Sequence, residues 1–412
     1  MKKYGCVGKK LTHSFSKEIH SRLADYKYEL IELTEEELIP FFKEKKFEAV
    51  NVTLPYKEAV IPYLDVISEK AKQIGAVNAV VNKGGKLYGY NTDYYGMKAL
   101  IEKVGLNLKS KKVLILGTGG TSKTARAVAK DLGAAEILIV SRKNGAERIT
   151  YEEASAFHKD AQIIINTTPV GMYPDCDGSV IDISPFSMLE GVIDAVYNPL
   201  STNLVLDARS RGLKAEGGLY MLVMQAVVAV ERFLDTKIAP DKIDEVYRSI
   251  LESKENIVLV GMPGSGKSTV GRLINIPGYT FVDTDAEIEK RCGVSIKELI
   301  NSRGEKYFRD LESEVIRDFS IRQSLIISTG GGAPLRAENV RWLKRSGKIF
   351  FIDAPLSRLT ATNDRPLSDT EDKLKRLYGE RIDIYRAISD VTVPDMDTPE
   401  AEAEFILENR RG

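Results

Sequence analysis

Two glycine-rich turns, each directly after a short apolar strand, constrain this chain more than any other feature. The first is Val113-Leu114-Ile115-Leu116 running into Gly117-Thr118-Gly119-Gly120. The second is Ile257-Val258-Leu259-Val260 running into Gly261-Met262-Pro263-Gly264-Ser265-Gly266-Lys267-Ser268. A strand that turns through glycines into a helix aims backbone N–H groups and the positive helix end at a bound phosphate. Two such units, far apart in the chain, predict two nucleotide sites and at least two α/β domains. The length of 412 residues agrees with two or three domains.

Composition removes several classes of partner. Lys plus Arg and Asp plus Glu both number 59, so the chain is neutral and lacks the basic excess of a nucleic-acid coat protein. Cys6, Cys176 and Cys292 form no C-x-x-C pair, and with only His13, His20 and His158 a zinc site is not expected. Met1 to Gly8 has no apolar h-region, and the longest apolar run, Gly218 to Val230, falls short of a membrane span and reads as a buried helix. The expectation is a cytoplasmic protein acting on small molecules, with no nucleic-acid or membrane partner; oligomeric state is left open.

Gly261 to Ser268 fits G-x-x-x-x-G-K-[ST] at every fixed position. In that motif Gly264, Ser265, Gly266, Ser268 and Thr269 cradle phosphates, Lys267 reaches the β and γ oxygens, and Ser268 holds Mg²⁺. Asp283 and Asp285 follow a short strand on the same side, one suited to the metal and one to a substrate hydroxyl. Next come Gly304-Glu305-Lys306-Tyr307-Phe308-Arg309-Asp310-Leu311-Glu312, then Gly330-Gly331-Gly332, then Asn363-Asp364-Arg365-Pro366-Leu367, then Glu380-Arg381 and Tyr385. From about Asn256 onward this ordered set resembles shikimate kinase. The resemblance implies that Asp285, Arg309, Gly331, Gly332 and Arg381 hold shikimate. It also implies that Asp283 assists Mg²⁺ and the reacting hydroxyl, and that Arg365 closes over ATP. Taken singly, Arg309 and Glu312 also fit an ordinary i,i+3 helix pair. Pro277 is expected to end the helix after the phosphate loop a turn early.

In the first half, Gly117, Gly119 and Gly120 precede a predicted helix (121–132) and a second strand (137–140) that ends in Ser141-Arg142-Lys143. An NAD site offers a carboxylate at that strand end; a basic end suits a 2′-phosphate and predicts NADP(H). A solvated basic turn is the plainer alternative. Polar groups also recur at strand ends: His13-Ser14-Phe15-Ser16, Asn51-Val52-Thr53-Leu54-Pro55-Tyr56-Lys57, Gly75-Ala76-Val77-Asn78 and Asn91-Thr92-Asp93. Any one of them fits turn chemistry or a helix cap.

Together with Asn166-x-Thr168-Pro169, Asp194-x-x-Tyr197-x-Pro199-x-x-Thr202 and Gly218-Leu219-x-Met221-Leu222-x-x-Gln225, these groups resemble shikimate dehydrogenase over about residues 1–250. The resemblance implies that Ser14, Ser16, Asn51, Thr53, Asn78, Asp93, Tyr197 and Gln225 contact shikimate. It makes Lys57 and Asp93 the catalytic pair and counts Gly218 with the cofactor-binding residues. Lysine beside a carboxylate suits the reduction of a ketone, supplying positive field and a proton to the oxygen that gains charge. Lys17, the pair Lys9-Lys10 and Ala79 depart from the family pattern without removing a catalytic group.

The expected architecture is α/β throughout. An α/β substrate lobe (1–100 and 218–252) accompanies a Rossmann-type NADP lobe (101–217), and a P-loop parallel α/β kinase domain (254–412) follows a short polar joint at Leu251 to Glu255. The expected function is bifunctional, with NADPH reducing 3-dehydroshikimate to shikimate and ATP then phosphorylating it. The alternative is a shikimate or quinate dehydrogenase carrying a non-catalytic, ATP-sensing P-loop module.

Overall fold

The computed structural model describes residues 4–11, 15–145, 147–359 and 370–410. The chain divides into two compact units, Met1–Ile250 and Leu251–Gly412.

The first unit contains two sheets. One is built from Tyr4–Gly8 (β1), Tyr28–Glu32 (β2), Ala49–Val52 (β3), Val66–Ile67 (β4), Ala79–Lys83 (β5) and Lys86–Tyr90 (β6), in the order β2-β1-β3-β5-β6-β4. Its β1, β2 and β3 are parallel, whereas β5 runs antiparallel to both β3 and β6. That antiparallel hairpin decides where the chemistry sits. Asn78 enters β5 and Asn91 leaves β6, so the two polar motifs meet at one end of the sheet, where Asn78 N donates to Tyr90 O at 3.0 Å.

The second sheet contains Lys112–Leu116 (β7), Glu136–Val140 (β8), Arg148–Ile149 (β9), Ile163–Asn166 (β10), Gly191–Asp194 (β11) and Lys214–Glu216 (β12). It is wholly parallel, in the order β12-β11-β10-β7-β8-β9, which is the doubly wound order of a dinucleotide fold. Parallel strands covered on both faces read as unbroken apolar runs. Accordingly Val113, Ile115, Ile163 and Ile165 enter one core while Leu114, Leu116, Ile164 and Val192 enter the other.

The apolar run after Gly218 is the helix Leu219–Leu234, which buries eight of its side chains. It lies against the helix Asp93–Val104 so closely that a Cβ on Gly96 would fall 2.4 Å from Met221 O and 3.1 Å from Gln225 Cβ. Only glycine permits that approach, and the approach delivers Gln225 to the polar end of the first sheet.

The second unit is a five-stranded parallel sheet of Asn256–Val260 (β13), Thr280–Asp283 (β14), Leu325–Ser328 (β15), Gly347–Ile352 (β16) and Val391–Val393 (β17), in the order β14-β15-β13-β16-β17. Alternate residues of β13 again feed opposite cores: Val258 and Val260 on one face, Ile257 and Leu259 on the other.

Two local expectations need correction. Residues 251–254 are not a loop: they form the last turn of the helix Pro240–Lys254, and Glu255 alone separates it from β13. Leu-Glu-Ser-Lys contains no glycine or proline to stop a helix. The helix after the phosphate loop, Lys267–Leu273, closes on an extended Ile274, well before Pro277. Outside a helix a proline restricts the residue before it, here Ile276, so Pro277 does not cause that end.

Candidate active sites

At the polar end of the first sheet, Lys57 Nζ donates to Asp93 Oδ2 at 2.6 Å, with side-chain exposures of 16% and 11%. Lys57 follows β3, and its carbonyl is held by Val77 N at 2.8 Å. Asp93 opens the helix Asp93–Val104, where the helix dipole favours a carboxylate. Asn78 Oδ1 accepts from Thr92 N at 2.6 Å, and Asn78 Nδ2 donates to Thr92 Oγ1 and Gln225 Oε1 at 3.0 and 3.3 Å. Asn51 Nδ2 donates to Asn78 O at 3.2 Å.

The structure therefore joins Asn51, Asn78 and Gln225 in one network beside the Lys57–Asp93 pair. Thr53 stands two residues beyond Asn51 and donates its N–H to Val7 O at 2.9 Å. Ser16 begins the helix Ser16–Leu23; the preceding Phe15 packs edge-on against Tyr197, with ring centroids 5.1 Å apart. Burial pushes the Tyr197 phenol up. Ser14 lies outside the described residues.

A brace lies beneath the Tyr197 loop, made from motif residues to which the sequence alone gives no role. Asp194, fully buried at the end of β11, accepts from Asn166 Nδ2 at 2.9 Å, Val196 N at 2.9 Å and Thr202 Oγ1 at 2.7 Å. Burial pushes its carboxyl up to about 6.

The dinucleotide turn is open to a ligand. Gly117 has φ +108°, and a Cβ added to Gly119 or Gly120 meets nothing within 4 Å. No side chain caps the helix Gly120–Asp131, so its first N–H groups suit a pyrophosphate. At the neighbouring strand end, Ser141 is buried and its Oγ bonds to the Lys143 backbone, whereas Arg142 and Lys143 are exposed. A cavity of about 270 Å³, which Arg142 and Lys143 do not line, is bounded by Thr118, Ser122, Lys123, Arg126, Glu147 and Arg148 with Ile139. Sequence does not single out Lys123, Arg126 and Arg148, because nothing in their spacing brings them to β8. Gly218 donates its N–H to Val196 O at 2.8 Å, and a Cβ there would fall 2.2 Å from Ala195 O.

In the second unit a cavity of about 550 Å³ runs from Gly264, Gly266, Lys267, Ser268 and Thr269 to Asp285, Arg309, Gly331, Gly332 and Arg381. Lys267 is nearly buried and donates to Gly261 O and Met262 O at 3.0 and 2.8 Å. Ser268 Oγ donates to Asp283 Oδ2 at 2.5 Å, and Asp283 Oδ1 accepts from Asp285 N at 3.0 Å. Ser265 Oγ, buried in the loop, has no partner among the described residues. The open glycines, the lysine and this spare hydroxyl fit a triphosphate, and the Ser268–Asp283 pair fits Mg²⁺.

The acceptor end is acidic beneath and basic around. Arg309 Nη1 donates to Glu312 Oε2 at 2.8 Å, so the i,i+3 pair exists, but Glu312 is fully buried and both residues line the cavity. Asp285 Oδ1 and Glu312 Oε1 are buried without partners among the described residues, and both approach within 2.6 Å of where a Gly330 Cβ would stand. Burial, then Glu312 and Asp283, push the Asp285 carboxyl up to about 7. A Cβ on Gly332 would fall 2.3 Å from the Arg309 guanidinium. In sequence Glu312 looks like any surface partner of an arginine, which hides its place in the site. Arg365 lies outside the described residues.

Comparison with known proteins agrees with this division. Residues 6–80 match the shikimate dehydrogenase substrate binding domain, and residues 263–410 match shikimate kinase. A shikimate dehydrogenase (NADP(+)) from Clostridium beijerinckii is 40% identical over 271 residues, covering 62% of this chain and 99% of that protein. Shikimate dehydrogenase 1 from Peptoclostridium difficile has a TM-score of 0.56 at 37% identity, covering 61% of this chain and 98% of its own. A shikimate 5-dehydrogenase from Thermus thermophilus, solved with NADP(H) and shikimate, has a TM-score of 0.55 at 30% identity and covers 60% of this chain and 99% of its own. The chain thus belongs to the shikimate dehydrogenase family and carries a shikimate kinase domain in the same polypeptide.

Proposed function

We propose that the first unit uses NADPH to reduce 3-dehydroshikimate to shikimate, and that the second uses ATP to phosphorylate the shikimate 3-hydroxyl. One observation carries the reading. A half-buried lysine–carboxylate pair among amides and a phosphate-loop cavity ending in two arginines occur in one chain, and in this reading the product of the first chemistry is the substrate of the second.

In the first unit the nicotinamide supplies the hydride when bound. As a keto carbon accepts it, charge grows on the oxygen; Lys57 Nζ gives that oxygen a positive field and a proton, and Asp93 orients the ammonium. Asn51, Asn78 and Gln225, with Ser14, Ser16, Thr53 and Tyr197, hold the ring. Arg142 and Lys143, exposed at the end of β8, favour a 2′-phosphate.

In the second unit phosphoryl transfer needs position and charge more than covalent help from the protein. Lys267 and the loop N–H groups hold the triphosphate, and Ser268 with Asp283 holds Mg²⁺. Asp285 takes substrate hydroxyls. Arg309 and Arg381 clamp the carboxylate, while Glu312 keeps Arg309 in place. Arg365 belongs to the same reading as a lid residue.

The test is a coupled assay of the full chain with 3-dehydroshikimate, NADPH and Mg-ATP. Loss of NADPH absorbance should be followed by an equal release of ADP, and omitting NADPH should abolish that release. NADPH consumption without ADP would return the second unit to an ATP sensor.

A further inference from the structure

Asn51 and Gln225 are amides, and an amide can meet a ligand with either its C=O or its N–H end. Groups behind them settle which end. Tyr28, in β2 and 3% exposed, donates its hydroxyl to Asn51 Oδ1 at 2.8 Å. Its ring stacks on His20 at 3.9 Å between centroids and 13° between planes. His20 is 1% exposed, and its Nδ1 lies 2.7 Å from Tyr26 Oη. Burial lowers the His20 imidazole to about 3 and raises the Tyr28 phenol, so near neutral pH one is uncharged and the other keeps its proton.

Backbone groups fix the remaining directions, because a carbonyl only accepts and an N–H only donates. Asn51 Nδ2 faces the Asn78 carbonyl, and Asn78 Oδ1 faces Thr92 N. The Asn78 nitrogen therefore faces Gln225 Oε1, which Thr92 Oγ1 also reaches at 3.3 Å. Both amide oxygens are engaged behind the site. Among the described residues no group engages the Gln225 nitrogen or the second Asn51 N–H, which leaves both to a ligand.

Resting on the dehydrogenase reading above, we propose that Tyr28 is a positioning residue. By engaging the amide oxygen of Asn51 it reinforces the orientation that the Asn78 carbonyl sets and holds that side chain as an N–H donor, and together with Gln225 the site then selects a substrate that offers oxygen acceptors at both positions.

The test compares wild type, Tyr28→Phe, Asn51→Ala and the double variant in the full chain, by steady-state oxidation of shikimate with NADP⁺. Tyr28→Phe keeps the ring stack and removes the hydroxyl, with its bond to Asn51 and its contact with Cys6. The shikimate KM should rise about 3- to 10-fold, the usual range for one such bond, with kcat nearly unchanged. The KM for NADP⁺ and kinase turnover should not move. In the Asn51→Ala background the effect of Tyr28→Phe should vanish, because its target is gone; a purely structural role would persist there and appear in the melting temperature instead. An unchanged shikimate KM, or an undiminished effect in the Asn51→Ala background, overturns the inference alone. A wild-type chain that does not oxidise shikimate overturns the dehydrogenase reading and the inference together.

Discussion

At the scale of residues, both sites are built from charges that cannot escape each other. Replacing Lys57 by Ala leaves Asp93 buried without its cation and removes the proton source. Dehydrogenase kcat should fall about 10²- to 10⁴-fold, while kinase turnover of the same chain is retained. A second prediction concerns pH. The Asp285 carboxyl is held near 7 in the folded protein, above its ordinary value of 3.8. The folded chain then binds more protons than the unfolded one between those values, so this group's stabilisation is complete below about 4 and is lost as pH rises through about 7. Asp285→Asn should flatten the fall in melting temperature between about pH 4 and 7, the interval between the unfolded and folded values of that carboxyl; an unchanged slope would exclude Asp285 as its source. Lys57, Asp93 and Asp285 are legible in the sequence through the ordered motifs that carry the two resemblances, since singly each fits turn chemistry or a helix cap. Glu312, Thr92 and Tyr28 are not, since their roles come from partners supplied by tertiary packing.

At the scale of elements, the strands and phosphate turns are legible as apolar runs broken by glycine. The failures lie at helix ends, where backbone and packing outweigh composition. Leu251 to Lys254 has the composition of a polar joint and is helix, and the helix after the phosphate loop stops at Leu273 without help from Pro277. The contact between the helices Asp93–Val104 and Leu219–Leu234 leaves no local signal beyond a glycine in a helix, yet it carries Gln225 into the site. Gly96→Val would set side-chain atoms against the Met221 carbonyl. It should cost about 1–3 kcal/mol in the first unit's unfolding and raise the shikimate KM of the dehydrogenase, with kinase constants unchanged. Thermal melts and both assays on one preparation check this.

For the whole molecule, each unit holds its own cores and its own candidate site. The backbone of residues 252–255 serves the second unit: Glu255 O accepts from Tyr279 Oη at 2.7 Å, Glu252 O from Arg410 Nη2 at 2.7 Å, and Ser253 O from Ser324 Oγ at 2.8 Å. Separation at Ser253–Lys254 would strip the second unit of the bonds to Glu252 and Ser253 and leave it that to Glu255. Fragments 1–254 and 251–412, made separately, should each unfold cooperatively and keep most of their activity, as shown by steady-state kinetics of each; a fragment that aggregates or loses most turnover would mean the units depend on each other. The thiols lend themselves to watching this happen. Cys6 and Cys176 are buried and only Cys292 is partly accessible. A chain with Cys292→Ser would offer maleimide dyes no open sulfur. Single cysteines could then be installed beside either site, and fluorescence would report which one shikimate occupies as it is made and consumed.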